Sequence, residues 1–351
     1  MKLNIDGSWT IRMLAATTAA ATIAAGCGSR RPTLHLYTWA DYIKPELVEA
    51  FERETGCRVV IDTFDSNEAM YNKIKAGASG YDVLVPSSYM VKLLYEQKLL
   101  QPIRRDWVPN LRHVDPEYLA KTMDPEMHHS VPYMLTNTGI AWLNGRVKDP
   151  EPSWAMFGRE DLKGRMTMLN DMRETLGAAL KYLGYSLNTR NPEELAKARD
   201  VVLLWKRNLA KFENEQYKTG LASGEFLLVH GYNGDILQAA EENDQIVFVI
   251  PREGTSISCD DLVIPVGARQ VELAHRFIDF LLRPEVAAEN TDFIGYRAPN
   301  KSAYPLMSET IRNNPTIFLP DELAARCEII GDVGEALALY TRMWDEIKAA
   351  E

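Results

Sequence analysis

In the first part of the chain, short continuous runs of apolar residues, typical of strands, alternate with segments whose apolar residues recur at helical spacing. LHLYTWADY, residues 34–42, predicts a short strand, and residues 44–55 carry apolar side chains at helical spacing between a proline and a glycine. A β-branched run over 58–64 predicts the next strand, and Ser66 can cap the helix after it. YDVLVP, residues 81–86, predicts a second buried strand before a further helix. This order predicts a parallel sheet with helices on both faces.

The same alternation recurs in the second half of the chain. The predicted strands are 166–169, 225–230, 245–250 and 261–265, and the predicted helices are 192–208, capped by Asn191, and 271–282. About 320 residues follow the N-terminal segment, which is more than one hydrophobic core usually supports. The sequence therefore predicts an α/β fold of two lobes, each a mainly parallel sheet flanked by helices, with a cleft between them.

Residues 1–26 have the pattern of an export signal. A weakly basic start precedes an apolar run over 13–25 that is too short to span a membrane comfortably. Ala-Ala-Gly then precedes Cys27, as in the lipobox of bacterial lipoproteins, although an alanine stands where leucine is usual. We expect Cys27 to carry a lipid and residues 27–31 to tether the protein to the outer side of its membrane. An ordinary cleaved signal with an incidental Cys27 is the alternative.

The formal charge of the chain is −10. An acidic protein repels nucleic acid and anionic membrane surfaces, and its field attracts cations. We therefore expect no nucleic-acid partner and favour a cationic ligand.

Motifs of cofactor and metal chemistry are absent from the sequence, which has no GxGxxG, GxxxxGK[ST], HExxH, CxxC or GxSxG. The pair His128-His129 lies in a polar stretch and is expected at the surface. We therefore expect no cofactor and no metal. Cys57, Cys259 and Cys327 are an odd set that allows at most one disulfide, and the alternative is three buried thiols.

Aromatic and acidic residues stand together directly after the first predicted strand, namely Trp39, Asp41 and Tyr42. In an open α/β sheet, residues past the carboxyl end of a strand line the ligand crevice. Two aromatic faces and one carboxylate suit an organic cation that is shielded from water. These residues therefore predict a cation site.

Several segments, in matching order and spacing, resemble the polyamine receptors of bacterial ABC importers, the spermidine- and putrescine-binding proteins. The segments are TWADYI, ELVEAFERETG, TFDSNEAMYNKIKAG, YDVLVPSSYMV, the VPYM turn, ALKYLGYSLNT, YNGD, FLLRPEVAAENTDFIGYRAPN and GDVGEAL. The resemblance runs from Thr33 to the C-terminus. It implies a two-lobed periplasmic binding protein, with 32–135 and 260–303 in lobe 1 and 136–259 and 304–351 in lobe 2. Such lobes close on the ligand by a hinge.

The resemblance also implies a set of ligand-binding residues. They are Trp39, Asp41, Tyr42, Ser87, Tyr89, Asp171, Glu174, Tyr232, Asp235 and Asp260. Asp171 and Glu174 would hold amino groups from the second lobe, and Asp260 matches the family's buried acid. Plainer alternatives are that Ser87 only caps a helix, that Asp171 and Glu174 only begin one, and that Trp39 only packs at a lobe edge.

Four positions bear on which polyamine is bound. Tyr232 stands where the family usually has tryptophan, and Asp235 fits the putrescine-binding variant better than the spermidine-binding one. Ser258 replaces an aromatic residue that covers the alkyl chain, and Ile330 replaces a polar residue that can contact a terminal amine. Loss of one aromatic face is expected to weaken binding about tenfold without abolishing it. The choice between putrescine and spermidine stays open.

Three functions are compatible with these residues. The first is a monomeric, non-enzymatic receptor that captures a polyamine outside the cytoplasm and delivers it to an ABC permease. The second is a polyamine sensor that docks on a membrane signalling receptor. The third is an enzyme that uses Cys259 as its nucleophile. Against the third, the neighbouring Asp260 would raise the pKa of the thiol, and no histidine stands in place to act as the base.

Overall fold

The computed structural model of the chain describes residues 31–119 and 122–350. Its strands are β1 (Thr33–Thr38), β2 (Arg58–Thr63), β3 (Val83–Leu84), β4 (Ser130–Leu143), β5 (Met166–Met168), β6 (Leu209–Phe212), β7 (Leu228–Tyr232), β8 (Ile246–Val249), β9 (Ser256–Val263) and β10 (Glu328–Ile329). Its helices are α1 (Pro45–Thr55), α2 (Asn67–Lys75), α3 (Ser88–Glu96), α4 (Pro116–Leu119), α5 (Met172–Tyr182), α6 (Pro192–Lys206), α7 (Tyr217–Ser223), α8 (Asn233–Glu242), α9 (Val271–Leu281), α10 (Pro284–Ile294), α11 (Glu309–Arg312), α12 (Asp321–Ala324) and α13 (Leu337–Ala349). Short 3₁₀ turns connect several of them.

The predicted signal segment and Cys27 lie outside the described residues. Within residues 31–119 and 122–350, no helix is both long enough and apolar enough to cross a membrane.

Local capping explains where several of the predicted helices begin and end. Pro45 occupies the first turn of α1, and Gly56 ends the helix in the left-handed conformation, with φ of 70°. The Ser66 hydroxyl accepts a hydrogen bond from the Ala69 amide at the start of α2, and Asn191 caps α6 in the same way. These helices confirm the elements predicted from the sequence.

A single mixed sheet organises the described chain, in the order β2-β1-β3-β9-β4-β7-β5-β6, with β8 beside β4 and β10 beside β9. β1 pairs in parallel with β2 and β3, and β5 pairs in parallel with β6 and β7, so the predicted parallel pairing is confirmed for these strands. β8 and β9 instead pair antiparallel with β4 and β3, respectively. β4 and β9 run antiparallel to each other through the middle, and all 14 residues of β4 are buried.

Two large hydrophobic cores lie along this sheet. The first is built around α1, α9 and α10 and contains Phe51 and Phe277, while the second is built around α5, α6 and α13 and contains Trp154 and Tyr340. The first core also contains Met307, Ile311 and Ile317. The α/β class is therefore confirmed, and the limits of the lobes stay a prediction.

Four predicted elements need correction. The strand predicted at 261–265 covers only the end of β9, which begins five residues earlier at Ser256. The strand predicted at 81–86 pairs as a regular ladder only over β3, although backbone hydrogen bonds of Asp82 and Val85 to the β1 carbonyls continue on either side. The strand predicted at 225–230 begins three residues later, because the amides of Phe226 and Leu227 bond to a helix end and a loop. The predicted VPYM turn is wrong, since these residues lie within β4, where a shift of register beside Pro132 accommodates the missing N–H.

Candidate ligand-binding cleft

A cavity of about 790 Å³, including its open mouth, lies where the ends of β1, β3 and β7 meet the middle of β9. Nine of the ten predicted ligand-binding residues line it, and these are Trp39, Tyr42, Ser87, Tyr89, Asp171, Glu174, Tyr232, Asp235 and Asp260. Asp41 is not part of the lining. The fold thus brings together residues that are up to about 220 positions apart in the sequence, as expected for a crevice at strand ends.

Asp260 is a buried carboxylate on β9 with a hydrogen bond on each oxygen. The Tyr42 hydroxyl donates to Oδ2 over 2.5 Å, and the Ser87 hydroxyl donates to Oδ1 over 2.6 Å. Burial raises the pKa of Asp260 to about 6, while the hydrogen bonds from Ser87 and Tyr42 lower it and the nearby charge of Asp171 raises it. Each carboxylate oxygen keeps a second lone pair, so a cation can still approach.

Ser87 directs its side chain to Asp260 rather than to the helix that it precedes. Its position is the N-cap of α3, but its hydroxyl makes no capping hydrogen bond there. Asn67 holds it instead, since the Asn67 side-chain amide donates to Ser87 Oγ over 3.0 Å and its oxygen accepts from the Ser87 amide. The same Asn67 nitrogen also donates to the Tyr89 hydroxyl. The simpler interpretation of Ser87 as only a helix cap is therefore wrong.

Glu174 and Asp171 approach the cavity from the start of α5. Asp171 caps that helix by accepting from the Arg173 and Glu174 amides, so an acidic helix start is part of its role. Glu174 is buried, and its Oε2 accepts from the hydroxyls of Thr138 and Ser256. Burial and the charge of Asp171 raise the pKa of Glu174 to about 8. Burial also raises the pKa of Asp171, although the hydrogen bonds from the Glu174 and Arg173 amides lower it. The charge of Asp171 therefore disfavours ionisation of Glu174.

Asp235 lies in the first turn of α8 and forms a third acidic position. The Tyr217 hydroxyl donates to its Oδ2 over 2.5 Å, and the Tyr296 hydroxyl donates to its Oδ1 over 2.8 Å. The helix N-terminus adds a favourable partial charge for this carboxylate.

Aromatic rings cover part of the cavity. The Trp39 ring contacts Phe64 edge to face at 4.4 Å between centroids, and half-buried Tyr232 and buried Tyr296 also line the cavity. Ser258 and Ile330 line it as well, so the two positions where aromatic and polar residues were expected lie at the site.

Asp41 turns away from the cavity because its backbone adopts a left-handed conformation, with φ of 51°. Its side chain is 66% exposed, and one oxygen accepts from Lys218 Nζ over 3.0 Å. Lys218 itself lines the cavity. Asp41 thus lies outside the cavity lining, behind Lys218, and its predicted contact with a ligand stays a prediction.

The sequence interpretation missed three functional positions. Asn67 holds Ser87, Tyr296 holds Asp235, and Lys218 binds Asp41. Tyr296 follows Gly295, which ends α10, in a segment that resembles the family. An aromatic residue directly after a helix end could have indicated a residue of the cavity. No local signal marks Lys218, which lies in the polar segment ENEQYKTG.

Cys259 is not part of the cavity. It is 1% exposed, and its thiol donates to Asp261 on the side of β9 opposite to the cavity. Burial raises its pKa well above the ordinary thiol value, and the charge of Asp261 raises it further. Cys57, Cys259 and Cys327 are free thiols, and Cys327 is only half-buried. Within the described residues, no cluster of His, Cys, Asp and Glu side chains could hold a metal ion.

A two-lobed α/β chain with an acidic, aromatic crevice at its strand ends defines a solute-binding protein. Residues 46–319 match the family model of the bacterial extracellular solute-binding proteins, and the chain belongs to this family.

Relatives of the chain agree along nearly its whole length. It is 35% identical to the spermidine/putrescine-binding periplasmic protein of Escherichia coli strain K12, over 97% of this chain and 99% of that protein. It is 33% identical to the putrescine/agmatine-binding protein of Pseudomonas aeruginosa, over 95% of this chain and 96% of that protein.

Solved structures agree with the fold. A lipoprotein of Treponema pallidum has a TM-score of 0.81 at 35% identity, with 90% of this chain and 99% of that chain covered. The spermidine/putrescine ABC transporter substrate-binding protein of Streptococcus pneumoniae has a TM-score of 0.78 at 30% identity, with 90% and 98% covered. The predicted two-lobed binding-protein fold is confirmed.

Proposed function

We propose that this protein captures a polyamine, putrescine or spermidine, in the cleft and delivers it to the permease of an ABC importer. The names of its relatives support this ligand class, because they describe proteins that bind spermidine, putrescine or agmatine. The structure supports it through the chemistry of the cavity, which combines separated buried carboxylates with aromatic rings.

Asp260 carries the proposal. A carboxylate that is 5% exposed and accepts from two hydroxyl groups is oriented rigidly toward the cavity. Its desolvation is unfavourable until a cation pairs with it, so an ammonium group gains both charge pairing and hydrogen bonds there. The remaining donors of an ammonium can bond to the neighbouring oxygens of Ser87 and Tyr42.

Acids on opposite walls of the cleft would measure the length of the ligand. Asp260 belongs to the proposed lobe 1, whereas Asp171, Glu174 and Asp235 belong to the proposed lobe 2. A polyamine has ammonium groups at fixed methylene spacing. Both walls can therefore bind an ammonium group at the same time only when the distance between them matches this spacing. Closure of the lobes on the ligand follows from this requirement.

The proposed lobes meet where β4 and β9 cross between the two cores. The chain passes from one proposed lobe to the other between residues 135 and 136 and between residues 259 and 260. Both points fall inside these strands, where Leu135 pairs with Cys259. We place the third crossing after Ile317 rather than at 303/304, because Ile317 still packs in the first core. Residues 334–349 then belong to the second core through Tyr340.

Calorimetric titration with putrescine and spermidine tests the ligand class. The Asp260→Asn variant is expected to bind at least about tenfold more weakly, since hydrogen bonds to charged groups contribute about 1.5–3 kcal/mol. Asp261→Asn is the matched control, because Asp261 is an equally buried acid on the opposite face of β9 that bonds to Ser88 and Cys259. Equal dissociation constants for the wild type and Asp260→Asn, or no binding of any polyamine by the wild type, would refute the proposal.

We further propose that the mature protein is a monomer, and that a lipid on Cys27 holds it to its membrane on the side away from the cytoplasm. The small residues before Cys27 support this, as does the description of the similar Treponema pallidum protein as a lipoprotein. Expression of the full chain and of Cys27→Ser, followed by detergent phase partition, tests the anchor. Recovery of both proteins in the aqueous phase would exclude it, and size-exclusion chromatography with light scattering tests the monomer.

A further inference from the structure

Lys218 is a cationic side chain of the protein itself inside a cleft that is otherwise suited to cations. It projects from α7 and is only 17% exposed at its side chain. Its Nζ donates to Asp41 Oδ2 over 3.0 Å and lies 4.0 Å from Asp235 Oδ1. An ammonium group between two carboxylates is the arrangement that the end of a bound polyamine would also adopt.

The surroundings of Lys218 keep it protonated. Burial alone would lower its pKa, but the carboxylates of Asp235, Asp41 and Glu215 outweigh this effect and raise the pKa above the ordinary lysine value. α7 also carries Tyr217, whose hydroxyl donates to Asp235. Adjacent residues of one short helix therefore supply both a neutral donor and a cation to this acidic position.

The buried and half-buried acids in the cavity fall into three positions, whereas Asp65 and Glu215, which also line it, are exposed. Asp260 forms the first, and Asp171 with Glu174 forms the second. Asp235 forms the third, with Lys218 as its resident counter-ion. Arg173 also lines the cavity, and its charge lowers the pKa of both Asp171 and Glu174. Its guanidinium hydrogen-bonds, however, to the Gly331 carbonyl and to the Asn188 side chain rather than to these acids.

We propose that Lys218 occupies the third acidic position as a tethered ammonium and thereby restricts the cleft to diamines over triamines. This inference rests on the proposed polyamine-binding function. A diamine places its two ammonium groups at the first two positions. A triamine needs a third carboxylate for its additional charge, and there it meets Lys218, which repels it and already holds the hydrogen bonds of Asp41.

A purely mechanical role for Lys218 is the competing explanation, since its ion pair with Asp41 joins the two proposed lobes. Such a latch would favour closure on any ligand and would change the affinity for diamines and triamines by the same factor. A second lysine of the chain serves as the comparison. Lys92 forms an ion pair with Asp332 across the proposed lobes, and neither residue lines the cavity.

The ratio of the dissociation constants for spermidine and putrescine separates these explanations. A general effect on closure changes both constants by the same factor and therefore leaves their ratio unchanged. The wild type is expected to bind putrescine more tightly than spermidine. Lys218→Met is expected to shift the ratio toward spermidine by about tenfold or more, as a charged hydrogen-bonding site becomes free. Lys218→Arg keeps the cation and is expected to keep the preference for putrescine.

Lys92→Met is the matched control, since it removes a lysine ion pair across the lobes and is expected to leave the ratio unchanged. Lys218→Gln replaces Lys218→Met if the latter does not give the circular dichroism spectrum of the folded protein. A ratio that is the same in the wild type and in a folded Lys218→Met or Lys218→Gln protein would overturn the inference, as would a wild type that prefers spermidine. Failure of the wild type to bind either amine would instead overturn the proposed function.

Discussion

The Tyr42 hydroxyl donates a 2.5 Å hydrogen bond to Asp260, a residue 218 positions later in the chain. Tyr42 follows the turn after β1, and Asp260 lies in the middle of β9. The backbone carbonyl of Tyr42 accepts in turn from the Tyr133 hydroxyl on β4. The acid on β9 is thus oriented by a residue that β1 and β4 hold in place.

Removal of this hydroxyl in Tyr42→Phe is expected to weaken polyamine binding about tenfold, because a hydrogen bond to a charged acceptor contributes about 1.5–3 kcal/mol. Calorimetric titration measures the change. Tyr304→Phe is the control, since it removes a hydroxyl that donates to another buried acid, Asp115, outside the cavity. Equal losses in both variants would show that packing, rather than the carboxylate contact, sets the affinity.

The ligand-free protein is expected to lose stability as the pH rises from about 4.5 to 8. The pKa of Glu174 is raised to about 8 from an ordinary value of 4.5, so the folded state binds a proton that the unfolded state has released. This contribution to stability is complete below the unfolded pKa and disappears as the pH passes the folded pKa. Thermal unfolding at pH 5 and pH 8 measures it, and Glu174→Gln is expected to reduce the difference.

Polyamine binding at pH 7 is expected to release protons. An ammonium group beside Glu174 and Asp260 favours their ionised forms and lowers both raised pKa values. Calorimetry in two buffers with different ionisation enthalpies counts the protons. The same count for wild type and Glu174→Gln would show that Glu174 does not respond to the ligand.

Gly234 is expected to be essential for the shape of the cleft. A Cβ atom there would lie 2.5 Å from the Ile294 carbonyl oxygen and 2.6 Å from the Tyr296 ring, which orients Asp235. Gly234→Ala should therefore lower the free energy of unfolding by about 1–3 kcal/mol, as overpacking does, and weaken ligand binding as well. Thermal unfolding and titration test both effects.

Gly177→Ala is the comparison for Gly234→Ala, because a Cβ atom there meets only Leu187 at an ordinary 3.6 Å. Gly177 lies inside α5, so alanine should increase stability by up to about 1 kcal/mol. Destabilisation of both variants to the same extent would mean that the close contact at Gly234 is not the cause.

Cys259 is expected to react slowly with thiol reagents in the folded protein. It is 1% exposed and its pKa is raised, whereas Cys327 is half-buried. Peptide mapping after brief treatment with iodoacetamide should find Cys327 modified first. Rapid modification of Cys259 without denaturant would revive its interpretation as a nucleophile.

Helices were predictable from the sequence because their signals are local. The prolines, glycines and capping side chains that delimit α1, α2 and α6 stand within a few residues of the helix that they limit. β4 was not predicted, because Pro132, Asn137 and Gly139 argue against a strand when read alone. Its stability comes from distant partners, and Gly139 is needed since a Cβ atom would lie 2.5 Å from the Val249 carbonyl oxygen on β8.

The acids of the site were predictable through the family resemblance, whereas their partners were not. Asp41 was expected to face the ligand, but the φ of 51° that directs it outward cannot be inferred from the order of residues. Lys218 was missed for a related reason. A lysine between glutamates, glutamine and glycine is typical of an exposed surface, and only the tertiary fold brings it to Asp41 and Asp235.

β4 places Val131 and Met134 in the first core and Ile140 and Trp142 in the second. Melting of either core would expose this strand, and the other core would then lose part of its own packing. The two lobes are therefore expected to unfold together. Heat should therefore unfold the mature protein in one cooperative transition, and a bound ligand should move that transition as a whole to higher temperature.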